Sequence, residues 1–146
     1  MLSRRGFLAL TGAAALTRPA WAFEARQPPL PAIDAARLRR RLERLSQFGR
    51  PSGGTFSSGV SRVAYSDADL AARAWLLEEI RGAGFTPRID PAGNIFVRWG
   101  GASGRPAILF GSHIDSVPSG GNFDGDLGTL SAFEGLQACR AAGVTT

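Results

Sequence analysis

The chain has 146 residues, enough for one modest domain with a buried core, and its 44% apolar and 20% charged residues are ordinary for a globular protein. Its single cysteine, Cys139, excludes an intrachain disulfide and a cysteine-based zinc cluster, and its apolar surroundings predict an inert buried thiol. The net charge of +5 falls almost to neutral once the arginines of a leader-like segment are set aside, so no nucleic-acid partner is expected.

The first 22 residues have the pattern of an export signal. Arg4 and Arg5 precede a mildly apolar run over residues 6–16, which is much shorter than the roughly 20 residues that a membrane-spanning helix needs. A small-residue A-x-A pattern then predicts cleavage after Ala22. The short apolar run predicts no stable membrane anchor. The paired arginines resemble a twin-arginine signal, which implies a periplasmic or exported protein. A general secretory signal is the alternative.

The first predicted helix follows a proline-rich linker over residues 23–33. Asp34 is its predicted N-cap, and Phe48-Gly49 is its predicted end. Its leucines recur at helical spacing, which predicts a core-facing stripe at Leu38, Leu42 and Leu45. The Gly/Ser-rich residues 50–62 predict a loop, which would border a substrate pocket or simply be a mobile connection.

A second helix and a hairpin are predicted next. The helix starts with a capping-box-like pattern at Ser66 and ends at Gly82. Its predicted inward face carries Leu70, Ala74, Leu77 and Ile80. Two short runs of strand character, residues 85–90 and 94–99, are joined by a Pro-Ala-Gly turn and predict a hairpin.

A continuously apolar strand and a last helix complete the pattern. Residues 107–111 predict a strand that is covered on both faces, as in a parallel sheet. The last helix, residues 126–142, is apolar around most of its circumference and is expected to be buried. This order of elements indicates an α/β domain over residues 34–146. Because a buried strand needs neighbours, we expect the chain to be the N-terminal part of a longer protein.

The polar loop between that strand and the last helix carries the only histidine, His113. Asp115 stands two residues further on, so on a strand both side chains project from one face while Ile114 turns into the core. Asp124 follows a Gly-Gly turn just ahead of a helix N-terminus, where a negative charge is favoured. Imidazole and carboxylate are good ligands for divalent metals, so the loop predicts part of a metal site. A hydrogen-bonded histidine and a capping aspartate are the alternative.

The whole segment from Gly111 to Gly125 resembles the metal-binding segment of the hydantoinase/carbamoylase group, that is, of enzymes like N-carbamoyl-L-amino-acid hydrolase and allantoate amidohydrolase. This group belongs to the dinuclear aminoacylase/carboxypeptidase metallohydrolase clan. The G-S-H-x-D-S-V-P, G-G and F-D-G elements match in order and spacing. The resemblance covers roughly residues 37–143, with further matching segments that begin at Ser61, Ala72 and Ala92.

The resemblance implies the N-terminal part of a mixed-sheet, helix-covered catalytic domain, incomplete here. It implies that His113 ligates one metal ion, that Asp124 bridges two, and that Asp115 is the catalytic acid that supports the histidine. The cofactors would be two divalent metals, Zn first, with Mn, Co or Ni as alternatives. The implied reaction is hydrolysis of a linear amide, carbamoyl or ureido C–N bond in a small molecule by a metal-activated water. The implied full-length protein is a homodimer.

The general base and the remaining ligands of the family would lie beyond residue 146, so this chain alone is expected to be inactive, and no substrate-binding residue is predicted. A dipeptidase or aminoacylase of the same clan, or an inactive exported remnant or binding module, is the alternative. Asp126 and Thr129 stand where better-known members have small or apolar residues. We interpret Asp126 as a helix cap rather than an added charge near the metals, and Glu134 as a solvated or paired carboxylate rather than the general base.

Overall fold

The computed structural model describes residues 29–101, 104 and 106–145. The predicted leader, with Arg4, Arg5 and the cleavage after Ala22, lies outside these residues, and so does most of the predicted linker. The chain divides between Leu30 and Pro31, and every contact described below lies in the unit that starts at Pro31. Within the described ranges, no helix is both long enough and apolar enough to cross a bilayer.

Three helices and one two-stranded sheet make up the regular structure of this part of the chain. In chain order they are α1 (Ala35–Leu45), α2 (Asp67–Gly82), β1 (Pro87–Ile89), β2 (Ile95–Val97) and α3 (Asp126–Ala141). The two strands pair antiparallel with Arg88 opposite Phe96. The predicted order of helix, helix, hairpin and helix is confirmed, and the unit is mixed α/β. Both strands are shorter than predicted.

The start of α1 is set locally by its cap. The Asp34 carboxylate accepts a hydrogen bond from the Arg37 backbone N–H at 2.8 Å, which satisfies one of the free amides of the first turn. The predicted stripe is confirmed because Leu42 and Leu45 are buried, with Leu38 packed against them. The helix ends earlier than predicted, at Leu45, and the positive φ of 79° at Gly49 then turns the chain.

The cap of α2 is confirmed, but its predicted inward face is wrong. The Ser66 hydroxyl accepts a hydrogen bond from the Asp69 backbone N–H at 3.3 Å. The buried apolar positions are Ala72, Leu76 and Ile80, of which only Ile80 was predicted, whereas Leu70 is 51% exposed. Apolar residues lie on more than one side of α2, and two stripes at helical spacing share Ile80. The periodicity of the sequence carries no information about packing against the other helices, and this packing decides which of the two stripes is buried.

Residues 107–111 are not a strand within the described structure, which corrects the prediction of a covered strand. Ile108, Leu109 and Phe110 are 92%, 80% and 60% exposed. The described sheet contains only β1 and β2 and does not extend to this segment. An extended segment becomes a strand only by pairing with a neighbour, so its apolar character predicts that it should be covered but supplies no partner.

The hydrophobic core lies between the three helices and includes one residue of the polar segment that carries the predicted site. It contains Leu45 from α1, Leu76 from α2, Leu130 and Phe133 from α3, and Ile114. The prediction that α3 is buried holds for only one side of the helix. Leu127, an apolar residue of its first turn, is 40% exposed. Cys139 on α3 is half-buried rather than buried.

Candidate metal-binding site

The burial of Ile114 sets the directions of the residues on either side of it. Ile114 is 7% exposed and belongs to the core, so His113 and Asp115 project towards the surface, with side chains that are 49% and 44% exposed. The His113 Nδ1 atom lies 3.1 Å from the backbone oxygen of Asp115 and 3.4 Å from its carboxylate Oδ1. The structure therefore brings these two predicted site residues into contact.

This contact determines which nitrogen of the His113 ring is available to a ligand. A carbonyl oxygen only accepts hydrogen bonds, so the neutral ring carries its hydrogen on Nδ1 when it bonds to the Asp115 oxygen. The lone pair then lies on Nε2. Metal-binding histidines are commonly fixed in this way, with the other ring nitrogen donating to a carboxylate or a carbonyl. The geometry thus fits a ligand role for His113 and a supporting role for Asp115.

Asp124 lies in the turn that leads into α3, and the next residue is against the histidine ring. Gly125 has a positive φ of 72°, and a Cβ built on it would lie 2.4 Å from Cε1 of His113. Only glycine fits there, because both the backbone conformation and the close approach exclude a side chain. Thr129, in the first turn of α3, also donates a hydrogen bond to the His113 backbone oxygen at 3.1 Å. The start of α3 is therefore held against the segment that carries His113.

The loop over residues 50–62 holds the predicted ligand loop, residues 111–125, in place. Val60 and Gly120 form an isolated antiparallel bridge with two backbone hydrogen bonds of 2.9 and 2.8 Å. The buried side chain of Asn122 donates to the backbone oxygens of Phe56 and Ser58, both at 2.7 Å. These contacts show that the loop over residues 50–62 supports the ligand loop, and its role at the border of a substrate pocket stays a prediction.

Asp126 is not the helix cap that we predicted. Gly125 occupies the N-cap position without a side-chain bond, and Asp126 is the first residue of α3. Its carboxylate is 1% exposed and pairs with the fully buried guanidinium of Arg62 at 2.6 Å. Burial raises the pKa of Asp126 to about 6, although the hydrogen bond and charge of Arg62 act to lower it. Its neighbours His113 and Asp124 are close enough to influence the same carboxyl group.

Glu134 is the paired carboxylate that the sequence predicted, and it is not solvated. Its side chain is fully buried and accepts hydrogen bonds from Arg37, Arg41 and the Asp34 backbone N–H. Burial acts to raise its pKa, but the hydrogen bonds and charges of Arg37, with the Asp34 amide and Arg41, hold the pKa below its ordinary value. This ion pair joins α1 to α3 and lies outside the ligand loop.

The side chains of His113 and Asp124 could supply some, but not all, of the ligands of a metal site. Within the described residues, no three His, Cys, Asp or Glu side chains are grouped closely enough to hold a metal by themselves. His113 has its Nε2 lone pair free of the Asp115 contact, and the carboxylate-bearing residue Asp124 is exposed. One imidazole and one carboxylate are fewer than the four ligands of a closed zinc site. Further ligands would have to come from residues other than these.

Comparison with known proteins gives consistent matches by sequence and by fold. The chain is 38% identical to ureidoglycolate hydrolase from Arabidopsis thaliana over 112 residues, which is 76% of this chain and 23% of that protein. It is 39% identical to N-carbamoyl-L-amino-acid amidohydrolase from Pseudomonas sp. strain NS671 over 113 residues, or 77% and 26% of the two chains. A hydantoinase/carbamoylase family amidase from Burkholderia ambifaria superimposes with a TM-score of 0.72 at 37% identity, covering 80% and 28%. No protein-family model matches the chain.

These matches show how much of each relative the chain covers and which group of enzymes it resembles. The chain spans about a quarter of the length of the relatives that it matches. Most of the described residues, however, fall within the matched share of this chain, and the same group of enzymes is found by identity and by superposition. Over these residues, the chain belongs to the hydantoinase/carbamoylase family of amidohydrolases.

Proposed function

We propose that this chain supplies part of the active site of a metal-dependent hydrolase that cleaves a carbamoyl or ureido C–N bond in a small acid. The observation that carries the proposal is the contact of His113 Nδ1 with Asp115, which leaves Nε2 free on a loop whose next turn carries Asp124. Two relatives, a ureidoglycolate hydrolase and an N-carbamoyl-L-amino-acid amidohydrolase, support this type of bond by the activities for which they are named.

Each site residue has a distinct part in this proposal. His113 offers its Nε2 lone pair to a divalent metal, and Asp115 fixes the ring by accepting from Nδ1. Asp124 offers two carboxylate oxygens, which suits a bridge between two ions. Two divalent metals would lower the pKa of a bound water and polarise the substrate carbonyl. Zn is our first assignment, and Mn, Co or Ni suit the same imidazole and carboxylate donors.

The product of the complete gene, loaded with Zn²⁺, tests this function. We expect ammonia release from N-carbamoyl-L-amino acids, ureidoglycolate or allantoate, and much slower hydrolysis of dipeptides and N-acyl amino acids. His113→Ala and Asp124→Asn are expected to abolish turnover. The matched control is Asp67→Asn, because Asp67 is an exposed carboxylate in the first turn of α2. Faster hydrolysis of dipeptides would favour the aminoacylase branch, and inactivity on every substrate would favour an inactive remnant.

The location and assembly of the protein are part of the same proposal. We assign residues 1–22 as a twin-arginine signal that delivers the protein to the periplasm or beyond. Metals would then be bound in the cytoplasm during folding, because this route carries folded protein and metal binding is coupled to folding. The complete protein is proposed to be a homodimer, and size-exclusion chromatography with light scattering would measure its mass.

A further inference from the structure

Arg62 is the largest of the fully buried side chains in the described part of the chain, and it is bonded to three other segments. Nε donates to the Ile114 backbone oxygen at 2.5 Å, and Nη1 donates to the backbone oxygens of Leu45 and Phe48 at 3.0 and 2.9 Å. Nη2 donates to Asp126 Oδ2 at 2.6 Å. Four of the five N–H groups of the guanidinium are therefore used.

Some acceptors of these hydrogen bonds lie beside the proposed metal ligands, and the others lie at the C-terminal end of α1 and in the turn after it. The Ile114 carbonyl is part of the peptide group that enters Asp115, so this bond orients the residue that contacts His113 Nδ1. Asp126 follows Asp124 by two residues and begins α3. Leu45 is the last residue of α1, and Phe48 lies in the turn that follows it. One side chain thus ties both ligand segments to the same helix end.

The backbone of Arg62 strengthens this connection. Its N–H donates to the Ser116 hydroxyl at 2.9 Å, and its carbonyl accepts from the Ser116 N–H at 2.8 Å. The Ser116 hydroxyl donates in turn to the Val60 carbonyl at 3.1 Å. Main chain and side chain of Arg62 therefore hold the ligand loop on both sides of Asp115.

The buried ion pair between Arg62 and Asp126 is not explained by its contribution to stability. Two charges are removed from water, and Asp126 Oδ1 is buried without a hydrogen-bond partner among the described residues. Apolar residues of similar volume at such positions are often equally or more stabilising. An arginine, however, presents five donors in a fixed plane, which apolar residues cannot do and lysine cannot reproduce. These properties suit the placement of several backbone groups at once.

We propose that Arg62 is a positioning residue that sets the placement of His113 relative to Asp124 by bonding the Ile114 carbonyl and the Asp126 carboxylate together. It acts through these neighbours and does not itself reach a metal. The proposal rests on the proposed function as far as metal binding is concerned. Its effect on the His113 ring can be measured with no metal present.

The His113 ring makes this effect directly observable. In the complete gene product labelled with ¹⁵N-histidine, the imidazole signals that His113→Gln removes belong to His113, and they report which of its ring nitrogens carries the hydrogen. The wild-type chain is expected to show the Nδ1–H form that the Asp115 contact requires. Arg62→Met, which keeps a long side chain and removes every donor, is expected to show a mixture of both forms.

Arg41→Met is the matched control. Arg41 is also a buried arginine, 7% exposed, but it bonds Glu79, Glu134 and Gln137, outside the ligand loop. It is expected to lower stability and leave the Nδ1–H form unchanged. Arg62→Lys keeps the charge without the planar arrangement of donors and is expected to resemble Arg62→Met. If Arg62→Met does not fold, Asp126→Asn keeps the side-chain volume and is expected to give the same mixture at lower amplitude.

Titration of Zn²⁺ into the same samples gives the second measurement. The Zn²⁺ dissociation constant is expected to rise about 10- to 100-fold in Arg62→Met, the range found when residues that orient ligands are lost, and less than about threefold in Arg41→Met. The proposal is overturned if Arg62→Met retains the Nδ1–H form, if Arg62→Lys behaves as wild type, or if Arg41→Met changes the ring equally. A wild-type signal that does not respond to Zn²⁺ would contradict the metal site, while the tautomer comparison would still decide the role of Arg62.

Discussion

The buried carboxylate of Glu134 offers a quantitative test of how α1 and α3 are held together. Its two oxygens accept four hydrogen bonds, two from Arg37, one from Arg41 and one from the Asp34 backbone N–H. Glu134→Gln keeps the volume but removes the charge and places an NH₂ group against these donors. Arg41, which is 7% exposed, would keep only Glu79, at 2.9 Å, as a charged partner among the described residues.

The expected loss follows from the burial of each partner. Breaking a buried ion pair costs about 3–5 kcal/mol, because a charge is left without compensation. Arg37 is 36% exposed and can be solvated, so we expect the lower end, about 3 kcal/mol. At about 4 °C per kcal/mol for a unit of this size, the melting temperature should fall by about 12 °C.

Urea and thermal unfolding at pH 7 would measure this loss against a matched substitution. Glu43→Gln also breaks an arginine pair, but Glu43 and Arg39 are both exposed, so it should cost no more than about 0.5 kcal/mol. Equal losses for the two variants would refute the reasoning that burial gives the Glu134 pair its strength.

The same ion pair predicts a direction of pH dependence. Because the pKa of Glu134 is lower in the folded chain than its ordinary 4.5, its charge stabilises the fold above pH 4.5. This contribution is lost as the pH falls through the folded-state pKa. The stability difference between wild type and Glu134→Gln should therefore be constant from pH 6 to 8 and shrink below about pH 4.5. A difference that grew on acidification would have the wrong sign.

Two further predictions concern the ligand loop and the leader. Gly125→Ala should cost more than about 1 kcal/mol and weaken Zn²⁺ binding, since its Cβ would lie 2.4 Å from His113 at a φ of 72°. Gly121→Ala, which has nothing within 4 Å of its Cβ, is the control, and an equal effect would contradict a specific contact. Replacement of Arg4 and Arg5 by lysine should leave unprocessed precursor in the cytoplasm, as judged by fractionation and immunoblotting; normal export would indicate the general secretory route.

Local signals in the sequence predicted the parts of the fold that are decided locally. The caps at Asp34 and Ser66 were predicted because each needs only a side-chain oxygen and an amide within the same turn. The leucine stripe of α1 was equally clear, since its opposite face is rich in arginine. The inward face of α2 was not, because two apolar stripes compete there and tertiary packing selects one.

Interactions between distant segments leave no local signal in the sequence. Arg62 lies 64 positions from Asp126 and 52 from Ile114, and no spacing pattern connects an arginine after a Gly/Ser-rich loop to either of them. Because the sequence does not reveal this ion pair, the position of Asp126 before a helical pattern predicts a cap instead. The strand prediction at residues 107–111 failed for a related reason, since pairing depends on a partner that apolar character does not specify.

The central claim is that His113 and Asp124 hold metal for the hydrolysis of a carbamoyl or ureido C–N bond. Its most direct test is to remove metal from the complete gene product with a chelator, measure ammonia release from an N-carbamoyl-L-amino acid and from ureidoglycolate, and then restore Zn²⁺. We predict that activity is lost on removal and returns with Zn²⁺ in the wild type, and that neither His113→Ala nor Asp124→Asn recovers it. Full activity in the metal-free protein, or recovery in either variant, would contradict the claim.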